Sequence, residues 1–324
     1  ALVLKLAAYL KDSSYIKNTI RQIETEKKVE TQITGYQKLH KQVQRMLLLQ
    51  SELKWLNMEA IRLAYEDMKR IEGFDAVKYL PILTELEQQV KQGFGNIYSG
   101  DEAVLANAEK AVANKRAILL ANPLLNGDKI LTDRRAMAPE LGTQSNNWSN
   151  QESARRKGFN ADIVELSNLR DEVQIRTIYK PDNTSSIADL KLHWDGDRAM
   201  FTQTMSDNRW NVFEVKLNNG DCKKLIDNPE PDLEFYDGTY LPDGRIIANS
   251  NIGYQGVPCV NGSDPVGNMV LYTPQSKNLR RLTFDQDANW NPVIMNNGRV
   301  MYTRWEYTDL THYYTRIVMN MNPD

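Results

Sequence analysis

One short pattern recurs in the second part of the chain and constrains its fold more than any other feature. It reads Asn126-Gly127-Asp128-Lys129-Ile130-Leu131-Thr132, then Asp195-Gly196-Asp197-Arg198-Ala199-Met200-Phe201-Thr202, then Asp243-Gly244-Arg245-Ile246-Ile247-Ala248-Asn249, then Asn297-Gly298-Arg299-Val300-Met301-Tyr302-Thr303. Each copy is an Asn/Asp-Gly turn, a basic residue and an apolar strand. Asn297-Gly298 has the composition of a two-residue hairpin turn, in which both central residues need positive φ, so such a turn is expected there. The last three copies are spaced at roughly fifty residues, a period typical of β-propeller blades.

Each unit holds more than its turn. An upstream strand is expected at 186–192, 234–241 and 290–294, and a downstream one at 211–215, 268–272 and 316–321, from their β-branched and aromatic content. A fourth strand follows at 222–226 and 279–283. Four antiparallel strands in constant order make a propeller blade rather than part of an unrelated sandwich. The first unit is divergent: a polar insert of about 134–158 separates its second strand from a third at 161–166. The last unit stops at Asn322-Pro323-Asp324 after its third strand, so we expect an incomplete propeller of about four blades, and a chain that is a fragment.

The first part of the chain reads differently. Residues 1–121 are rich in Ala, Leu, Lys, Glu and Gln, and apolar residues recur at helical spacing through Leu47, Leu48, Leu53, Leu56, Ile61, Leu63 and Ala64. Gly73 ends that segment, Asp75 starts another through Val90, and Ser99 or Asp101 caps a last helix from Glu102 to Leu120. Pro81 is tolerated if it falls near a first turn. About four helices packed antiparallel are expected, with His40 a surface or edge residue. At Asn122-Pro123 the composition shifts. The reading is an α plus all-β chain: an N-terminal antiparallel helical bundle over 1–121, then an incomplete β-propeller of four-stranded blades over 122–324.

Bulk properties exclude some functions. Charged residues make up 25% of the 324 residues and the formal net charge is −2, which does not argue for nucleic acid or an anionic membrane. No run of eighteen apolar residues occurs, so no transmembrane segment is expected. Cys222 and Cys259 are read as two separate thiols, though one bridge between them is open. No Cys-x-x-Cys occurs, so no haem attachment and no cofactor is expected in this chain. The first residue is Ala1, which reads as a processed start with a signal peptide removed.

Tyr240-Leu241-Pro242-Asp243-Gly244-Arg245-Ile246, Leu279 to Phe284, Trp290-Asn291-Pro292, Arg299 to Tyr307 and Met319 to Asp324 carry a family resemblance. Over about 185–324 the chain resembles TolB-type propellers and, more narrowly, bacterial proteins like the alpha subunit of hydrazine synthase. The resemblance implies an exported bacterial protein, periplasmic or extracellular, with further sequence after this point. Hydrazine synthases attach c-type haem through Cys-x-x-Cys-His. Cys259 is followed by Val-Asn-Gly, so that chemistry has no residue to sit on here.

The candidate ligand-binding residues are Arg304, Trp305, Glu306, Tyr307, Asp309 and His312, in the loop after the second strand of the last unit, with Tyr254 from the long insert 249–268. Loops of this kind gather at a propeller face, where ligands bind. Glu306 and Asp309 are the candidate acid and base, or with His312 a metal set, against the plainer reading of an Arg304–Glu306 ion pair with Trp305 packed between blades. Exposed aromatics beside Asn and Asp, including Trp148, would suit sugar rings. Trp148, Arg155, Arg156 and Lys157 form a candidate anion site or a surface loop at the domain junction. The functional expectation is a ligand- or partner-binding module for a protein, small molecule or glycan. The alternatives are an enzyme acting on a glycan or small exported substrate, or a haem protein with its motifs beyond Asp324.

Overall fold

A computed structural model describes residues 2–125, 129–136, 155–170, 172–182, 184–257, 262, 265–306 and 315–324. The chain divides into two compact units, Ala1–Asp128 with Leu169–Glu172, and Lys129–Asn168 with Val173–Asp324. Among the described residues no helix is long and apolar enough to cross a membrane.

The first unit holds six helices among the described residues: α1 (Leu2–Ala7), α2 (Ser14–Thr25), α3 (Val29–Lys54), α4 (Met58–Met68), α5 (Ala76–Gln92) and α6 (Glu102–Leu119). The expected continuous helical run through Leu47–Ala64 is broken at Trp55–Asn57. The Asn57 side chain accepts the Ala60 N–H at 3.1 Å and caps α4, so one Asx overrides an unbroken apolar period. Asp75 and Asp101 cap α5 and α6 in the same way. Pro81 sits inside α5, past its first turn. α6 belongs to two cores. Leu105 and Ala108 pack with Ile16, Ile20, Leu39, Val43 and Met46, whereas Ala111 and Ile118 pack with Ile61, Tyr65, Leu83 and Leu86. Each large apolar side chain, fully buried, contributes about 1.5–3 kcal/mol. Gly35 lets α2 and α3 approach closely: a Cβ there would lie 3.0 Å from Ile23 Cγ1.

The second unit is a series of antiparallel sheets. The first is β1 (Lys129–Arg134), β2 (Asp162–Ser167) and β3 (Gln174–Tyr179). The second is β4 (Ile187–Leu192), β5 (Arg198–Thr204), β6 (Trp210–Lys216) and β7 (Cys222–Lys224). The third is β8 (Phe235–Tyr240), β9 (Ile246–Ser250), β10 (Asn268–Thr273) and β11 (Asn278–Arg281), and the fourth is β12 (Asn289–Ile294), β13 (Val300–Trp305) and β14 (Arg316–Met321). Strand order within each sheet follows the chain, so each is a meander. β3 was not anticipated from sequence. Cys222 carries a free thiol, and Cys259 lies outside the described residues.

Successive sheets pack face to face, which explains the unbroken apolar runs. Met200 and Val212 face the third sheet, whereas Ala199, Phe201 and Val215 face the first. Ala248 and Val270 face the second sheet, and Ile247, Met269 and Leu271 face the fourth. With both faces covered, the period-2 alternation separates two cores rather than core from solvent. Gly238 permits a close approach of the second and third sheets: a Cβ there would lie 2.6 Å from Met200 Sδ and 2.9 Å from Val212 Cγ1.

The recurrent Asx-Gly pairs do form the turns β4–β5, β8–β9 and β12–β13, but not as two-residue turns. Gly196, Gly244 and Gly298 have φ of +70°, +85° and +79°, and each donates its N–H to the carbonyl three residues earlier, at His193, Leu241 and Met295. Asn297 is not in the left-handed region. Its Oδ1 instead accepts the Arg299 N–H at 3.1 Å, as Asp243 Oδ1 accepts that of Arg245. In these two turns the Asx side chain thus stabilises a longer turn in which only Gly needs positive φ, whereas in the β4–β5 turn His193 Nδ1 accepts the Asp195 N–H at 3.1 Å. The basic residue after Gly can pair within the same turn, as Arg245 Nε does with Asp243 Oδ2 at 2.7 Å.

Candidate functional sites at two ends of the sheets

The second, third and fourth sheets share two ends. One carries the Asx-Gly turns and is called the turn end. The other carries the β5–β6, β9–β10 and β13–β14 connections and is called the loop end. Between them runs a polar line that sequence inspection missed. Asp189, Asp237 and Asn291 occupy left-handed backbone, at φ of +55°, +51° and +56°, within bulges of β4, β8 and β12. Short polar side chains tolerate that conformation, and a bulge re-aims a side chain. The signal was present in the sequence: each of the three stands seven residues before Gly196, Gly244 and Gly298 respectively.

These residues link one sheet to the next. The Asn291 N–H donates to Asp237 Oδ2 at 2.5 Å, and the Asp237 N–H donates to Thr202 Oγ1 at 2.8 Å. The Thr202 hydroxyl and the Asp237 N–H serve Asp189 in turn. Lys191 Nζ lies 3.0 Å from Asp237 Oδ1 and 3.1 Å from the Pro292 carbonyl. Asp189 Oδ2 is shut off from solvent without a partner among the described residues. Burial, then repulsion from Asp237, pushes the Asp189 carboxyl up to about 7 despite nearby Lys191.

At the loop end, Arg304 bridges Asp285 Oδ1 at 2.9 Å and Glu306 Oε1 at 2.5 Å. Glu306 is buried, and Trp305 is wholly buried against Val257, Val266 and Ala288. Trp305 also stacks on Trp290 at 6.0 Å, with the Arg316 guanidinium 4.9 Å from both rings. The structure therefore brings Arg304, Trp305 and Glu306 together beside Val257 and Val266 of the insert 249–268, chiefly as packed structure. Tyr254 stands apart, exposed, at φ +49°. Tyr307, Asp309 and His312 lie outside the described residues, as does Trp148. Arg156 is not in a surface anion loop. Its Nη1 donates to both Glu234 carboxylate oxygens, at 2.7 and 2.8 Å, and its guanidinium lies 5.8 Å from the Trp210 ring.

The same end gathers polar atoms that are buried and unpaired among the described residues. They are Trp210 Nε1 at the start of β6, Asn249 Oδ1 and Ser250 Oγ at the end of β9, and Asn289 Oδ1 and Nδ2 with Trp290 Nε1 at the start of β12. Asn249, Ser250 and Asn289 are fully buried. A buried polar group without a partner costs about 1–3 kcal/mol.

At the turn end, His193, Asp195 and Asp197 have donor atoms within 4.8 Å of one another, a spacing that suits a metal. Here the positive charge already comes from the protein. Arg198 Nη1 lies 3.3 Å from Asp195 and 2.7 Å from Asp197, and Nη2 lies 2.7 Å from His193 Nε2.

No protein-family model and no curated protein sequence matches the chain. Among solved structures it is similar to hydrazine synthase of Kuenenia stuttgartiensis, at 10% identity and a TM-score of 0.40, over 54% of this chain and 28% of that one. It is similar to TolB from Acinetobacter baumannii, at 16% identity and a TM-score of 0.34, over 50% and 38%. It is also similar to an oligogalacturonate lyase in complex with manganese, at 9% identity and a TM-score of 0.37, over 56% and 45%. The chain spans less than half the length of each of these proteins. At such identities the likeness concerns the fold alone.

Proposed function

We propose that the second unit is a sector of a β-propeller in an exported bacterial protein, and that it binds a small polar ligand or a partner protein at its loop end. The observation that carries this reading is the set of polar atoms on Trp210, Asn249, Ser250, Asn289 and Trp290 that are buried and unpaired among the described residues. Groups of this kind are retained where something else satisfies them. Each sheet from the second to the fourth contributes, as expected of a site where propeller loops converge. Binding is favoured over catalysis because Glu306 is held by Arg304 at 2.5 Å, and Arg304 is shared with Asp285. That arrangement fixes a carboxylate in place rather than freeing it for proton transfer.

A thermal-shift screen of small polar metabolites, followed by pull-down of exported proteins, tests the reading. A ligand at one hundred times its Kd adds about 2.7 kcal/mol, which for a domain of this size raises Tm by about 5 °C or more. The expected result is a hit whose shift is lost in Asn289→Leu and kept in Trp194→Ala. Absence of any hit or captured partner, or shifts indifferent to Asn289→Leu, overturns the proposal.

A further inference from the structure

The turn end holds a second, differently built site. A cavity of about 630 Å³ opens between the second and third sheets. It is bounded by the β4–β5 turn on one side and by Tyr240 and Pro242 on the other, with the buried Glu214 and the exposed Gln275 also in its lining. Its size falls within the range of about 300–1,000 Å³ usual for small-molecule sites. Trp194 stands at its rim, 57% exposed. The indole is propped from behind rather than loose. His193 lies 4.7 Å from it at a tilt of 44°, and Tyr240 meets it edge-on at 6.1 Å. Tyr240 is fixed in turn by its hydroxyl on Glu214 Oε2 at 3.0 Å.

The internal repeat shows that the turn does not need a tryptophan. The residue two before the turn glycine is Trp194 in the second sheet, Pro242 in the third and Asn296 in the fourth. All three turns close with the same hydrogen bond from the glycine N–H. A large aromatic at a solvent-facing turn position, dispensable for the turn, backed by two rings and placed on a cavity, is a stacking platform.

The charges around it select the ligand. Asp195, Asp197 and Glu214 line the cavity beside Arg198, Lys216 and Lys223. Arg198 pairs with both aspartates, and Lys223 Nζ lies 2.9 Å from Glu214 Oε1. Equal numbers of each sign produce little net field, so neither a phosphate nor a polycation is selected. The paired groups still offer acceptors and donors side by side, with the Asp195 and Asp197 carboxylates 60% and 64% exposed. Alternating donors and acceptors next to an aromatic face fit a neutral, hydroxyl-rich ring.

We propose that this cavity is a saccharide subsite. The apolar face of a neutral pyranose stacks on Trp194, and its ring hydroxyls bond to Asp195, Asp197 and Gln275. The site is separate from the loop end and stands whether or not that end binds a ligand.

The test is calorimetric titration, with saturation-transfer NMR, of the purified chain against glucose, galactose, N-acetylglucosamine and their disaccharides. At least one sugar is expected to bind with a Kd of about 1 mM or tighter. Trp194→Ala is expected to weaken it about tenfold or more, whereas Trp194→Phe retains most of the affinity. Asn289→Leu is expected to leave it unchanged, which separates this site from the loop end. Raising salt from about 50 to 500 mM is expected to change Kd less than about twofold, since no net charge is bound. No binding by any panel sugar, indifference to Trp194→Ala, or a steep salt dependence overturns the proposal. Unchanged thermal unfolding of Trp194→Ala shows that a loss of binding is not a loss of fold.

Discussion

The two ends of the same three sheets solve opposite problems. At the loop end two large indoles are inside and polar atoms lack partners among the described residues: Trp210 and Trp305 are fully buried, while Asn249, Ser250 and Asn289 hold unpaired atoms. At the turn end the carboxylates of Asp195, Asp197 and Glu214 all have cationic partners, and the aromatic ring of Trp194 is outside. The difference follows from how each end is built. A turn closes on residues adjacent in sequence, so its charges find partners locally, as Arg245 finds Asp243. A loop end is assembled from segments far apart in the chain. Trp305 meets Val257, Val266, Ala288 and Trp290, and no local rule satisfies the polar atoms caught among them.

The largest effect is expected where the loop end is packed. Trp305→Ala removes a wholly buried indole beneath Arg316 and beside Trp290, and should cost about 3–5 kcal/mol, read as a lower denaturation midpoint in urea. A cost below about 1 kcal/mol would mean that Trp305 is free to face a ligand, and the contrast between the ends would collapse. Next comes the line joining the two ends. Asp237→Ala removes the carboxylate partner of Lys191 and the acceptor of the Asn291 N–H, for an expected loss of about 3 kcal/mol. Asp237→Asn should recover part of that loss by keeping an acceptor.

A pH measurement sharpens the same line. The Asp189 carboxyl titrates at about 7 in the folded chain, whereas an unfolded aspartate titrates near about 3.9. Between these values the folded state binds more protons, so this group's contribution to stability is full below about pH 4, falls as pH rises, and is lost by about pH 7. Other carboxylates act oppositely: Asp207 is held low by Arg209 despite burial, which stabilises as pH rises. The informative quantity is therefore the difference between wild type and Asp189→Asn. The variant should gain Tm relative to wild type from pH 4 to 7. A constant difference would show that Asp189 is charged throughout and satisfied by Lys191.

The parts of this architecture legible in the sequence are those set locally. Gly196, Gly244 and Gly298 announced the turns, and the apolar runs after them announced β5, β9 and β13, because a covered sheet needs apolar residues at every position. β3 escaped because Gln174-Ile175-Arg176-Thr177 is largely exposed and has no turn pair before it. The break between α3 and α4 escaped because Leu56 keeps the apolar period while the single cap Asn57 ends it. For the sites, Arg304 and Glu306 were placed together correctly by their spacing, yet the burial of Trp305 depends on residues from other, distant segments. The Trp194 platform was overlooked although the repeat marks it: turn frequencies favour Pro or Asn at that position, as at Pro242 and Asn296, and tryptophan is the departure.

The smallest stability effect is expected at that departure. Trp194 contacts His193 and Tyr240 but leaves most of its surface in water, so truncation to alanine removes little burial. Its cost should be about 0.5 kcal/mol or less, a Tm change of about 1–2 °C. The turn should persist, because Gly196 still donates to the His193 carbonyl and Pro or Asn serves at this position elsewhere in the chain. Trp194→Asn, copying Asn296, is the stricter variant. It should match wild-type stability within that limit while removing the aromatic face altogether. If Trp194→Asn instead destabilises the chain by more than about 2 kcal/mol, well beyond the usual surface substitution, the tryptophan is a strut for Tyr240 and the second sheet. In that case the turn end depends on its aromatic as much as the loop end depends on Trp305.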